Sequence, residues 1–465
     1  MITKLGEKFT HLFLKYMPDA FVFALVLTLF TGLIAFFWLD ATPLKIITSW
    51  YDGFFDLLAF GMQIVLIIIT GFSIALSPIV NKGIDNLARY ISTPTQVYFF
   101  VILIGALLCM ISFGWVVITC VLARALATRI KGVNYPLLVA FVYFSSGSWV
   151  TGLSSSIPLL LNTEDNYLIH AGILSDVIPT SYTLGSILNF CMIIFFIIVA
   201  PIIMVLLAPK SKNIKELKDL TENTNAPKEI SIKDEASSMK LPFKSLSDTL
   251  NNSVILQSII ALMGLIYIAF HFSTNGFDLN FNIMIFIFLI AGLLLHKTPM
   301  RYVIAMKRAG GNVSGILFQY PFYAGIMGIM LYTGLGEKLA ELMASVATID
   351  SYAFYAYITG GIVNFAIPSA GGEFAVVGPS IINAVKNISS GLGPEEINAM
   401  ISRASLSLAY GESLTNLLQP FFLLLVFPIM GSGVKIQARD VMGYLVLPFV
   451  VFFIIQSLMV VFMPL

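Results

Sequence analysis

The chain has 465 residues, is 58% hydrophobic and only 11% charged, and has a mean hydropathy of +0.91. A soluble domain of this size carries roughly a quarter charged residues, so the composition argues for lipid as the solvent and for a multi-pass membrane protein. The net charge of +1 offers no footprint for nucleic acid, and Cys109, Cys120 and Cys191 sit in apolar runs as small core residues, not as a disulfide or metal framework.

In chain order, Lys4, Lys8 and Lys15 precede the apolar run 21–39 in the manner of a signal sequence. That run is long enough to span and lacks a small-x-small cleavage site, so it reads as a retained first helix. Full-length runs follow near 54–76, 136–161, 184–207, 253–272, 279–296, 313–334, 400–430 and 440–463. Two further stretches, 97–127 and 351–385, exceed one crossing of about 20 residues and are broken near their middles. Each reads as a re-entrant hairpin or as a crossing followed by a short re-entrant piece.

Charge orients these elements. Lys82 and Arg89 precede the stretch 97–127, and Arg124, Arg129 and Lys131 follow it without an acid. Both flanks read as cytoplasmic under the positive-inside rule, which favours a hairpin. Loop 162–180 has Glu164, Asp165 and Asp176 with no Lys or Arg, and faces out. Segment 208–252 is polar and Lys/Glu-rich, a flexible cytoplasmic linker between a first membrane half, 1–207, and a second, 253–465. Lys297, Arg301, Lys307 and Arg308 place the next loop inside. The N-terminus is then expected inside and the C-terminus outside.

The two halves echo one another. Gln63 and Gln319 stand in matching helices, Ser112-Phe-Gly-Trp115 breaks one long stretch as Asn364 to Glu373 breaks the other, and Gly147 to Ser154 interrupts a span as Gly411 to Gln419 interrupts its counterpart. On the orientation above, the matching helices run in opposite directions. The expected fold is therefore all-α, polytopic, with two inverted repeats, each holding a re-entrant hairpin (97–127 and 351–385) and a broken helix (136–161 and 400–430). Inverted repeats with matching breaks point to a secondary transporter and to its binding site, because irregular backbone at membrane depth belongs where it lines a cavity or is buried in protein.

Candidate substrate-binding residues follow from the breaks: Ser112 and Gly114; Ser146, Gly147, Ser148, Thr151 and Ser154; Asn364, Pro368, Ser369, Gly371, Gly372 and Glu373; Gly411, Ser413, Thr415, Asn416 and Gln419. Helix N-termini at such breaks favour an anion, and glycine lets a ligand approach the backbone. Small residues are equally common at helix–helix contacts in membranes; the clustering in both halves, with three amides, carries the functional reading. Glu412 and Glu373 are the candidate ion-coupling acids, since a carboxylate at membrane depth is costly. The plain alternatives are that Glu373 faces water at a hairpin mouth and that Glu412 braces the broken helix. Gln63 and Gln319 read as helix braces. Arg403 reads as a helix-end residue reaching the interface, or as a cation for a carboxylate. His11, His170, His271 and His296 lie at ends or in loops, so no metal site is expected beyond Na⁺ near Asn416 and Ser148.

Several of these segments carry a family likeness. Tyr51-Asp-Gly-Phe-Phe-Asp-Leu-Leu-Ala-Phe-Gly-Met-Gln63, Asn134-Tyr-Pro-Leu-Leu138, Ala291 to Met300, Gln319 to Ile326, Asn364-Phe-Ala-Ile-Pro-Ser-Ala-Gly-Gly372, Ala409-Tyr-Gly-Glu412 and Gln419-Pro-Phe421 resemble the bacterial short-chain fatty acid transporter family over essentially the whole chain. The resemblance implies uptake of short-chain carboxylates such as acetoacetate or butyrate with a coupling cation, in the cytoplasmic (inner) membrane of a bacterium. It also implies kinship with a broader ion transporter superfamily of carboxylate carriers. From that kinship follow an elevator-like mechanism, a homodimer, and a transport domain of 97–182 plus 351–430 moving against a scaffold built from the rest. Where the family leads one to expect histidine after Gly371-Gly372, this chain has Glu373, which changes the local charge and bears on substrate, coupling ion and pH dependence.

Taken from the residues alone, helix N-termini and hydroxyls suit one carboxylate without a Lys or Arg clamp. The expected function is secondary active uptake of short-chain fatty acids or related small monocarboxylates, coupled to H⁺ or Na⁺, with no other cofactor. A carrier of dicarboxylates or amino acid derivatives is the alternative within transport. An intramembrane enzyme is the alternative outside it; it needs paired catalytic groups, and the breaks contain no histidine and no paired aspartates.

Overall fold

The computed structural model describes residues 20–465 except 57, 112, 154, 163–165, 171, 209–213, 222–230, 242, 244, 277–280, 312 and 369. Helix α1 (Ala20–Leu39) is apolar on every side, and Leu29 and Phe37 are exposed, as a lipid-facing helix requires. Next comes α2 (Pro43–Asp56), an amphipathic helix opened by a proline, where a missing N–H costs nothing. It is followed by α3 (Leu58–Ala75) and a second Pro-started helix, α4 (Pro78–Ala88), capped by Ser77. The apolar run 54–76 thus belongs to two helices, the end of α2 and all of α3.

Helices α5 (Pro94–Ile111) and α6 (Val116–Arg129) flank a 3-10 turn, Phe113–Trp115. Gly105 on α5 faces Thr119 on α6 across the turn, and the two limbs pack on one another as a hairpin. Helix α7 (Tyr135–Ser146) gives way to a 3-10 turn, Gly147–Thr151, then to extended chain and α8 (Ser156–Leu161). Of the window spanning Tyr135–Leu161, 82% lies inside the protein, against 17% for Phe21–Leu39; the broken helix is core and α1 is periphery. Helix α9 (Ile187–Ile194) continues through a π turn, Phe195–Val199, into α10 (Ala200–Leu207). Pro201, at the start of α10, accounts for the local rearrangement.

The second half runs α11 (Val254–Asn275), α12 (Phe281–His296), α13 (Pro299–Gly310), α14 (Ser314–Tyr332) and α15 (Leu335–Ser345). Its second long stretch is α16 (Tyr352–Val363), a non-helical break, and α17 (Ala370–Ile388). Then come α18 (Pro394–Thr415), a 3-10 turn Asn416–Leu418, α19 (Leu423–Met430), the short α20 (Ala438–Met442) and α21 (Val446–Phe462). Tyr357 and Gly361 on α16 meet Gly411 and Thr415 on α18 in parallel register. With α17 between them in sequence, α16 and α17 are the limbs of a second hairpin.

Among the described residues, five helices are long and apolar enough to cross a bilayer, and α18 with α19, bent by 46° at its break, makes a sixth. The order apolar helix, Pro-started amphipathic helix, apolar helix, short helix, hairpin, broken helix occurs from α1 to α8 and again from α12 to α19. Packing between the halves is reciprocal: α2 and α1 lie on α14, while α13 and α12 lie on α3. At the first contact the backbones of Gly53 and Gly328 touch, a close approach that only small residues allow.

Described parts of the segment 208–252 are bonded to the rest of the chain. Lys215 O accepts from Tyr135 N at 2.9 Å, Glu216 Oε1 accepts from Gly132 N at 2.8 Å, and Leu220 O accepts from Lys435 N at 2.9 Å. Further on, Glu235, in the linker helix Ile232–Ser238, pairs with Arg308 of α13.

Candidate functional site

The two broken helices meet at their breaks. Ser413 Oγ donates to Gly147 O at 2.8 Å, and Tyr143 Oη donates to Asn416 O at 2.8 Å and Gln419 O at 2.9 Å. A broken helix leaves carbonyls without intrahelical donors; each break here satisfies part of the other's deficit.

Around the first break the polar groups are spent on structure. Ser146 Oγ donates to Tyr143 O at 2.7 Å, Ser148 Oγ to Ala106 O at 2.8 Å, and Thr151 Oγ1 to Ser148 O at 2.8 Å. Leu153 N donates to Met110 O at 2.8 Å, tying the break to hairpin one. Gly114, at the tip of that hairpin, is buried beside Phe113, whose ring stands edge-on to Trp149 and Phe422. Asn189 of α9 donates to Thr151 O at 3.0 Å and accepts from Tyr410 Oη at 2.8 Å, a further bond across to α18.

The second break holds an amide cluster. Asn364 Nδ2 donates to Thr415 Oγ1 at 2.8 Å and to Asn416 Oδ1 at 2.9 Å; Gln419 Nε2 donates to Asn416 Oδ1 at 2.9 Å and to Asn364 O at 3.2 Å. Asn364 Oδ1 and Gln419 Oε1 are buried with no hydrogen-bond partner. Pro368 is buried at the tip of hairpin two, and α17 begins immediately beyond it. The first turn of α17 carries Gly371 and Gly372, and a Cβ at Gly371 would meet nothing within 4 Å. With glycines in its first turn, this helix N-terminus offers its amides as an anion seat.

Glu373 and Glu412 lie on helices that pack together, α17 and α18, and both are fully buried at 0% exposure. Among the described residues, none of their four carboxyl oxygens has a hydrogen-bond partner. Glu373 is therefore not at a water-filled mouth, and Glu412 braces nothing through its side chain. Ser405, two turns before Glu412 on the same side of α18, also has a buried hydroxyl without a partner.

The structure thus brings Asn364, Pro368, Gly371, Gly372, Glu373, Gly411, Glu412, Ser413, Thr415, Asn416 and Gln419 into one region, joined through Ser413 to Gly147 and the first break. Ser112, Ser154 and Ser369 lie outside the described residues. Arg403 is elsewhere: its guanidinium donates to Val461 O at 3.2 Å and Met463 O at 2.6 Å, at the end of α21. Gln63 bonds Asn282 at 2.7 Å, as a brace would. His296 bonds Ser73 O at 2.8 Å, away from the breaks. The tyrosines 143 and 410 and Asn189, which join the halves of the site, went unread in the sequence. Each is a single polar atom in an apolar run, and only their tertiary partners reveal them.

A family model described as short chain fatty acid transporter matches residues 1–463. A protein of Escherichia coli (strain K12), provisionally named a short-chain fatty acid transporter, is 36% identical over 447 residues, 96% of each chain. One of Haemophilus influenzae with the same provisional name is 34% identical over 450 residues, again 96% of each. Among solved structures, the YdaH transporter of Alcanivorax borkumensis matches at a TM-score of 0.41 and 16% identity, over 95% of this chain and 97% of its own. The MtrF protein of Neisseria gonorrhoeae, described within a class of antimetabolite efflux pumps, matches at 0.39 and 14%, over 97% and 96%.

Proposed function

The chain belongs to the short-chain fatty acid transporter family, and from that premise we propose that it is a secondary active carrier. It takes up a small monocarboxylate together with a coupling cation, H⁺ or Na⁺, by an elevator-like movement. The observation that carries this reading is the pair Glu373 and Glu412, both fully buried on helices that pack together, with all four oxygens unpartnered among the described residues. Two carboxyls in a dry interior with no donor are costly unless a cation joins them. The anion seat is the first turn of α17, which also carries Glu373, so that substrate and cation share one hairpin.

The repeated order of elements and the reciprocal packing of α1, α2, α12 and α13 support an inverted repeat, with 97–182 and 351–430 as the moving part. A two-fold relation pairs each surface with its counterpart in this way. The homodimer and the inner-membrane location come from the family likeness. The dicarboxylate reading needed a cation at the site; Arg403 is committed to carbonyls at the end of α21, so the monocarboxylate is preferred.

The test is uptake of radiolabelled butyrate into proteoliposomes, with H⁺ and Na⁺ gradients imposed separately. Accumulation under one gradient, displaced by unlabelled acetoacetate, is expected. Absence of uptake under both, with the protein folded, would sink the proposal.

A further inference from the structure

We infer that the hydrocarbon tail of the carried acid occupies an apolar cavity of about 190 Å³ between α16, the second broken helix and α21, and that this cavity sets the chain length accepted. The inference rests on the proposed function. Tyr357, Gly361 and Phe365 form one wall, Leu414 and Leu418 another, and Phe453 of α21 a third.

Carbon surface alone lines the space, and the polar atoms nearby are turned away from it. Tyr357 directs its hydroxyl to Gln456 Oε1 at 3.1 Å. Thr415 spends its hydroxyl on Asn364 and on the carbonyls of Gly411 and Glu412. A wholly apolar cavity of about 150 Å³ stays dry and admits benzene; this one, open on one side beside Ile362, has room for a chain of about four to six carbons. Water gains nothing there, whereas an alkyl chain gains the full transfer free energy.

Position links the cavity to the polar site. Thr415 borders both, with its hydroxyl in the amide cluster and its side chain on the cavity, and Phe365 directly follows Asn364. Gly361 keeps the wall recessed: a Cβ there would lie 3.0 Å from Thr415 Cγ2. A bilayer acyl chain is the other source of alkyl groups, because Ile362 on the rim is 44% exposed.

Competition by straight-chain acids against labelled butyrate in proteoliposomes tests the inference, using wild type, Leu418→Trp to narrow the cavity and Phe453→Ala to widen it. In wild type, inhibition is expected to strengthen by about fourfold per methylene up to about five or six carbons and then to fall. The optimum moves to shorter acids in Leu418→Trp and by about two carbons to longer ones in Phe453→Ala. An unchanged ladder in both variants, with uptake intact, overturns the inference and leaves the transport reading standing. A second measurement needs no transport: a photo-reactive diazirine analogue of a five-carbon acid is bound to the purified protein in nanodiscs. Labelling of 357–365 and 411–418 that excess pentanoate removes supports the tail site even where uptake fails. Absence of that labelling, or labelling of the same peptides by a diazirine phospholipid that pentanoate does not displace, overturns it.

Discussion

Ser413 donates its hydroxyl to Gly147 O across 2.8 Å, joining the break of one half of the chain to the break of the other. Ser413 is nearly buried, so the carbonyl it serves has no ready water to replace it. Ser413→Ala should cost about 1–2 kcal/mol, the bond plus a partly unsatisfied acceptor. A lowered melting temperature in detergent, restored largely by Ser413→Thr, is the expected result. An alanine variant as stable as wild type would mean the breaks are held by Tyr143 and Tyr410 instead.

The carboxyl pair gives the opposite pattern. Glu412→Gln and Glu373→Gln each remove an unpartnered ionisable group from a fully buried place. Stability should change by no more than about 1 kcal/mol, and a rise is as physical as a fall. Accumulation against a gradient should be lost in at least one of the two, while downhill exchange of the acid persists. Measuring both fluxes in one proteoliposome preparation separates loss of coupling from loss of substrate binding. Concentrative uptake intact in both variants would remove the pair from the mechanism.

Local chemistry and tertiary chemistry divide what the sequence made legible. The breaks at Gly147 and Pro368 announced themselves, because glycine, proline and hydroxyls interrupt a hydrophobic run on the spot; Gly411 does not break its helix, and α18 runs on to Thr415 before the turn Asn416–Leu418. The stretches 97–127 and 351–385 read as hairpins from their length and mid-point breaks, and the first also from its basic flanks, but which surfaces of the limbs meet is decided by contacts such as Gly105 with Thr119. The helices Pro43–Asp56, Pro78–Ala88 and Leu335–Ser345 went unread because they are amphipathic and abut apolar runs that absorb their ends. Glu373 could be located but not classified: whether a hairpin carboxyl meets water depends on what packs over it, and α18 packs over this one.

Two glycines of the site should respond in different ways. A Cβ at Gly411 would run into the carbonyl of Tyr357, forcing α16 and α18 apart. Overpacking of that kind costs about 1–3 kcal/mol, so Gly411→Ala should lose thermal stability and uptake together. Around Gly371 there is open space, and its backbone is not in the left-handed region. Gly371→Ala should leave stability within about 0.5 kcal/mol and raise the KM for the acid, because the methyl group stands where a carboxylate would approach the α17 amides. A Gly371→Ala protein with unchanged KM would place the anion seat elsewhere.

The linker offers a prediction about pH. Glu216 accepts from Gly132 N at 2.8 Å and pairs with Lys218 at 3.1 Å. The Gly132 amide first, and Lys218 after it, hold its carboxyl below the usual value of 4.5. A carboxyl depressed in the folded state contributes its anchoring fully above the unfolded value and loses it as pH falls through the folded one. Between pH 7 and 5 the anchor should therefore hold, and below 4.5 it should progressively release. Protection of the Gly132 amide, its exchange rate set against the intrinsic rate at each pH from 7 to 3.5, reads this directly. Glu216→Gln keeps an acceptor but no charge, so its protection should be lower than wild type at pH 7 and nearly flat across the range. A wild-type profile equally flat would show that the Gly132 amide is protected by the surrounding chain and not by the carboxylate.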